Sequence, residues 1–151
     1  MPDLSLTSPA FQDGEPIPAE HGYTEANTNP PLEIGGVPED ALSLVLIVDD
    51  PDAEEPAGKV WDHWVVWNVP PDAERIPEGW AAEDASEGQN DYGEVGWGGP
   101  NPPDREHSYR FLLYALDAKL GLSPNATKDD VYDAAGGHVL DKAKLRGTYT
   151  P

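Results

Sequence analysis

"KVWDHWVVWNVPP", residues 59–71, is the stretch on which the reading of the fold turns. From His63 to Val69 it is rich in β-branched and aromatic residues, and it stops at Pro70-Pro71, which predicts a strand. Side chains alternate between the two faces of a strand. That alternation puts Trp61, His63, Val65 and Trp67 on one side, and Asp62, Trp64, Val66 and Asn68 on the other. A second strand is predicted in "LSLVLIV", residues 42–48, between Pro38 and Asp49-Asp50-Pro51. A third is "YRFLLYAL", residues 109–116, and "GTY", residues 147–149, reads as a short terminal strand.

Helix signals are confined to the last third of the chain. Thr127 with Asp130 three residues on makes a capping box, which predicts a helix over 128–135. A second short helix is expected over 138–144, after the Gly136-Gly137 break. "NAT" at 125–127 has the form of a glycosylation sequon, but the capping role of Thr127 accounts for it. Between Pro70 and Pro103 runs a long stretch rich in Gly, Pro and acids, in which Trp80, Tyr92 and Trp97 favour a packed loop over a linker. Seventeen prolines and fifteen glycines leave little room for long helices. The expectation is one domain over residues 1–151. It is mainly β, an antiparallel sandwich-like pair of sheets with short C-terminal helices.

Charge bounds the partners. The net charge is −20, and residues 1–100 hold 22 acids against only Lys59 and Arg75. Residues 101–151 hold seven of each sign. Such a field repels nucleic acid and anionic membrane surfaces. An acidic surface suited to high salt, where screening removes self-repulsion, is the simplest account of the excess. No cysteine is present, which removes disulfides, thiolate metal sites and thiol catalysis. No secretion signal or long apolar run is seen, so a soluble cytoplasmic protein without stable membrane insertion is expected.

Three stretches carry the polar residues of interest: "DDPDAEEP" at 49–56, "WDHW" at 61–64 and "GGPNPPDREHSYRF" at 98–111. On the third strand His107, Tyr109, Phe111 and Leu113 share a face. If the two histidine-bearing strands are neighbours, His63 and His107 line one pocket with Trp61 and Tyr109, and Asp50 or Asp52 sits at its rim. Imidazole, indole and phenol donors converging in an apolar cup suit a phosphate or carboxylate, and an aromatic face beside a carboxylate suits a cation. A small zwitterion or phospho-group would satisfy both. Tighter anion binding below about pH 6.5 is then expected from histidine titration. His63 also reads as a hydrogen-bonded core residue, and His63, His107 and Asp50 as a metal triad for hydrolysis. An EF-hand fails because Glu55 and Trp61 stand where it needs Gly and Glu. Ser108 and His107 are strand neighbours facing opposite ways, and no nucleophile elbow is present.

These same stretches resemble the phosphatidylethanolamine-binding protein family, in its prokaryotic Raf-kinase-inhibitor-like branch. The likeness lies in "DPDAE" at 50–54, "WDH" at 61–63, "GWGGPNPP" at 96–103 and "HSYRF" at 107–111. It continues in "FQDGEPIP" at 11–18, "NPPLEIGGVPE" at 29–39 and "AAGGHVLDKAKLRGTY" at 134–149. The resemblance implies a β-sandwich-like fold and a small anion pocket, with no cofactor and no enzymatic activity. By motif the pocket residues would be Asp50, Asp52, Trp61, His63, Pro103, His107 and Tyr109. It further implies a small anionic or zwitterionic ligand such as phosphate, carboxylate or phosphoethanolamine. A kinase or protease partner follows from the same likeness, and a homodimer is compatible with it. Three positions depart from the pattern: Glu54 replaces a proline, Ser108 replaces an arginine, and "DRE" at 104–106 replaces a glycine-containing turn. Arg105 or Arg110 could restore the cation, although strand parity turns Arg110 away from His107.

Overall fold

A computed structural model describes residues 3–80 and 85–151. Every residue of Ser43–Asp50 is buried, as its unbroken apolar run requires of a central strand. In chain order the strands are β1 (Ser5–Thr7), β2 (Leu32–Gly35), β3 (Ser43–Asp50), β4 (Trp61–Val69), β5 (Arg75–Ile76), β6 (Ser86–Glu87), β7 (His107–Leu116) and β8 (Val139–Tyr149). They form a five-stranded sheet in the order β6-β4-β3-β7-β8 and a three-stranded sheet in the order β1-β2-β5, with antiparallel pairing in both. Leu6, Leu32, Ile34 and Ile76 of the small sheet pack against Leu44, Leu46, Val48, Trp64, Val66, Phe111 and Leu113 of the large one. This is the sandwich core. On the opposite face of the large sheet, Val45, Ile47, Val65 and Trp67 are covered by Leu120, Ala126, Val131 and Ala135. The last two belong to helix α2 (Lys128–Ala135), so the large sheet is buried on both sides. A single-turn helix, α1 (Glu54–Ala57), follows β3.

Strict alternation along β4 fails at His63. Val48 pairs with Trp64 and Asp49 with Asp62, which leaves His63 as the extra residue of a β-bulge. The bulge turns Trp61 and His63 to the same side as Trp64 and Val66, away from Val65 and Trp67. A second irregularity lies between the Leu44↔Val69 and Leu46↔Val66 pairs. There Asn68 takes a left-handed conformation (φ 55°) and exchanges two 2.8 Å hydrogen bonds with the backbone of Leu120.

The second C-terminal helix expected over 138–144 does not exist. Val139–Tyr149 is one continuous strand paired along β7, and it absorbs the short strand predicted at 147–149. α2 alone remains of the helices expected near the C-terminus. Tertiary demand overrides helix propensity here, because without β8 the outer edge of β7 would be left unpaired.

The stretch 70–103 is packed, as its tryptophans suggest, although residues 81–84 lie outside the described residues. Trp80 and Trp97 meet Trp64 edge-on at 6.2 and 5.5 Å, and Trp97 stacks on Phe111 at 6.2 Å. Among the described residues, no helix is long and apolar enough to cross a membrane.

Candidate functional site: a pocket at one end of the large sheet

The pocket forms where β3 ends and where β4 and β7 begin. β3 lies between the other two, so the histidine-bearing strands are not neighbours. Its last residue, Asp50, pairs with Trp61 in register and so falls between His63 and His107. The "DPDA" sequence explains the abrupt turn there. Asp50 Oδ1 accepts the Asp52 backbone N–H at 2.9 Å, and Pro51 opens the short helical turn Pro51–Ala53.

A cavity of about 170 Å³ results. Asp50, Trp61, His63, Pro103, His107 and Tyr109 line it, together with Ala53, Ala57, Tyr92, Asn101 and Pro102. Asp52 does not. Its Oδ2 accepts the Ser108 backbone N–H at 2.8 Å, and its Oδ1 lies 3.9 Å from the Arg105 guanidinium. Asp52 therefore ties the start of β7 to the turn after β3 and faces a shallow depression beside the pocket.

The two histidines differ in chemistry. His63 is buried, and its Nδ1 lies 2.7 Å from the Gly98 carbonyl, so Nδ1 carries the proton and donates it there. Burial lowers its pKa to about 4, with the Gly98 bond opposing. At neutral pH its Nε2 is thus an acceptor, not the anion donor that the sequence suggested. His107 is gripped at both nitrogens, Nδ1 to Asp50 Oδ2 at 2.6 Å and Nε2 to Asp104 Oδ1 at 2.7 Å. Burial works against its charge, but these two carboxylates outweigh it and hold its pKa above the ordinary value. Asp50 is pushed up by its own burial, with the His107 bond pulling the other way. His107 is thus an imidazolium clamped between two acids. Its charge is felt in the pocket, while both of its protons are already bound.

Two donors in the pocket wall are unspent. Trp61 Nε1 and the Tyr109 hydroxyl are buried and make no hydrogen bond among the described residues, although the hydroxyl lies near enough to Asp50 and the Asn101 backbone to feel both. Burial, then the nearby Asp50 and Tyr92, push the Tyr109 pKa far above the phenol range, so it keeps its proton. The Tyr109 ring meets His63 edge-on at 5.2 Å. Tyr92 meets both Trp61 and His63 edge-on, at 5.5 and 5.7 Å, and its hydroxyl donates to the Gly99 carbonyl at 2.9 Å.

A metal triad of His63, His107 and Asp50 finds no support in this geometry. Both nitrogens of His107 and one of His63 are committed to protein acceptors. Arg110 does not restore a cation to the pocket either. It is on the far face, in a two-bond pair with Asp49 at 2.7 and 2.8 Å, as strand parity requires. Sequence reasoning missed Tyr92, Asn101 and Asp104. Asp104 carried the only usable signal, an acid three residues before His107 at the start of a strand.

Comparison with known proteins gives a consistent family. The family model described as phosphatidylethanolamine-binding protein matches residues 7–150. A UPF0098 protein of Methanothermobacter thermautotrophicus is 47% identical over 151 residues, covering 97% of this chain and 98% of that protein. A crystal structure of a putative phosphatidylethanolamine-binding protein homologue from Chlamydia trachomatis superposes with a TM-score of 0.92 at 41% identity, covering 97% of each chain. YbcL of Escherichia coli, described as a new member of the mammalian family, gives 0.89 at 30% identity over 98% of each chain. With a matching family model, close relatives and a shared fold over nearly its whole length, the chain belongs to the phosphatidylethanolamine-binding protein family.

Proposed function

We propose that this protein is a non-enzymatic binder of a small phosphate- or carboxylate-bearing headgroup, with a zwitterion of the phosphoethanolamine kind as the best fit. The observation that carries this reading is the pair of unspent donors, Trp61 Nε1–H and Tyr109 O–H, in the wall of a pocket beside an imidazolium. A buried donor without a partner costs about 1–3 kcal/mol, which an incoming ligand oxygen would recover. The remaining groups suit a cation. His63 Nε2 and Asp50 are acceptors, and Trp61 and Tyr92 present aromatic surface. A dianion would meet Asp50 and Asp104, so a ligand carrying both signs is favoured.

Calorimetry with phosphoethanolamine, inorganic phosphate and ethanolamine tests this. Phosphoethanolamine should bind most tightly. Trp61→Phe and Tyr109→Phe should each weaken it about tenfold, the equivalent of one hydrogen bond. Asp50→Ala and His63→Ala should weaken it as well. The two histidines should add no tightening of their own at pH 6.5, because His63 remains neutral down to about pH 4 and the His107 pKa is held above its ordinary value, so any change there follows the second ionisation of the phosphate, at about pH 6. This replaces the tightening below pH 6.5 that two free histidines would give. Unchanged affinity across all four variants would overturn the reading.

A further inference from the structure

We propose that Glu20, His21 and Glu78 form a binding site for a divalent transition-metal ion such as Zn²⁺, apart from the headgroup pocket. None of the three lines that pocket. Glu20 and His21 lie on the helical turn Ala19–His21, and Glu78 follows β5. One ligand atom from each residue gathers within 4.8 Å of the other two.

His21 carries the argument. It is fully buried, and its Nδ1 lies 2.8 Å from the Thr28 carbonyl, which fixes the proton on Nδ1. In the neutral ring the lone pair is then on Nε2. That atom is buried without a hydrogen-bond partner among the described residues. The nearest carboxylate oxygen, Glu78 Oε1, is 3.7 Å away. An imidazolium–carboxylate pair would close to about 2.7–2.9 Å, as His107 does twice in this chain, at 2.6 and 2.7 Å. Two donors about 2.1 Å from a shared tetrahedral ion would instead stand roughly 3.4 Å apart. The 3.7 Å gap is therefore closer to a separation between ligands than to an ion pair. A backbone carbonyl holding the far nitrogen is also how metal-binding histidines are oriented.

The scaffold is rigid where it needs to be. Asn29 Nδ2 donates to the Pro77 carbonyl at 3.0 Å, and Asn29 Oδ1 accepts the Trp80 N–H at 2.9 Å. The Asn27 N–H donates to the Glu20 carbonyl at 3.1 Å. These bonds hold the turn bearing His21 and the segment bearing Glu78 side by side. Both carboxylates are exposed and free to move; Glu78 has a few tenths of an ångström to close, and Glu20, within 4.8 Å of the other ligand atoms, at most about 1.4 Å. One imidazole and two carboxylates select a first-row ion over Mg²⁺ or Ca²⁺, which an acidic surface collects through oxygen alone.

The test is calorimetric titration of the chelator-treated full chain with Zn²⁺ in excess Mg²⁺, beside nitrogen NMR of the histidine rings. We expect one saturable equivalent that Mg²⁺ does not displace. Glu20→Gln and Glu78→Gln should each weaken it at least about tenfold, the scale that loss of even an outer-shell group reaches. Both variants alter exposed side chains, so folding should be intact by circular dichroism. The ¹⁵N resonance of His21 Nε2 should move on binding. Zn²⁺ uptake that Mg²⁺ displaces, affinity unchanged in both variants, or a shift confined to His63, His107 or His138 would overturn the proposal.

Discussion

His63 and His107 share a pocket, yet their pKa values are displaced in opposite directions, because one is buried against a carbonyl and the other is held between two carboxylates. In the unfolded chain His63 takes up a proton near pH 6.5, but in the folded chain only near pH 4. Between those values the unfolded state binds the extra proton. The contribution of His63 to stability is therefore complete above pH 6.5 and is lost as pH falls toward 4. The gap corresponds to about 3 kcal/mol. His107 runs the other way, its contribution being present below pH 6.5 and lost as pH rises through its raised folded value. A difference measurement separates them. His63→Asn keeps an amide N–H near the place of Nδ1, so the Gly98 carbonyl retains a donor. Urea unfolding at pH 7 and pH 4.5 should show the stability gap between wild type and variant shrinking by about 2 kcal/mol at the lower pH. A constant gap would contradict a depressed His63 pKa. Ring NMR should agree, with His63 silent above pH 5 and His107 titrating above its ordinary value. At this scale the sequence showed which residues meet but not what they do. Six of the seven named residues line the pocket, and Asp52 does not. The tautomer of His63 depends on the Gly98 carbonyl, 35 residues away, and no local pattern encodes that contact.

The elements were legible where their signals are local. α2 begins where the Thr127–Asp130 capping box predicts and ends at the Gly136-Gly137 break, since both signals lie within a few residues of the helix ends. β8 reads as a helix because Asp141, Lys142, Ala143 and Lys144 suit one, and of its inward positions, Ala143, Leu145 and Gly147, only Leu145 is large enough to mark a period of two. Only the need of β7 for a partner decides the matter. The bulge at His63 likewise depends on how β4 meets β3. The same contrast between local and tertiary forces sets the energetics of α2. Thr127→Ala removes a cap and should cost about 1 kcal/mol. Lys128, in the first turn, is unfavourable to the helix dipole, yet it bridges Asp62 at 2.7 Å and Asp49 at 3.3 Å beneath the helix. Asp49 keeps its pair with Arg110, but Asp62 is buried, so Lys128→Ala leaves the Asp62 charge uncompensated and should cost roughly 3 kcal/mol. Chemical denaturation of the two variants checks the order. If Thr127→Ala proved the costlier, the helix would be held by its cap and not by its tie to the sheet.

Over the whole molecule the net charge of −20 opposes folding through self-repulsion, and the distribution sharpens the effect. All of the net excess lies in residues 1–100, which contribute the small sheet and β3 to β6, whereas Arg110, Lys142, Lys144 and Arg146 sit on β7 and β8. In the Asp49–Arg110 pair the carboxylate is buried and only the guanidinium is partly exposed, so the pair should respond to salt less than the exposed acids do. Exposed acids respond differently, because the screening length falls from about 10 Å at 0.1 M to about 3 Å at 1 M. Raising NaCl over that range should therefore increase Tm. Relief of about 2 kcal/mol would give roughly 4–8 °C for a chain of this size. Salt also strengthens apolar burial, so the increase alone does not identify screening. Replacing the exposed Glu15, Glu33 and Glu39 together by Gln separates the two causes. If repulsion is responsible, the triple variant melts higher than wild type at 0.1 M and gains less on going to 1 M, so the two melting curves converge. If both proteins gain equally, the salt effect comes from apolar burial, and the acid excess is neutral to stability.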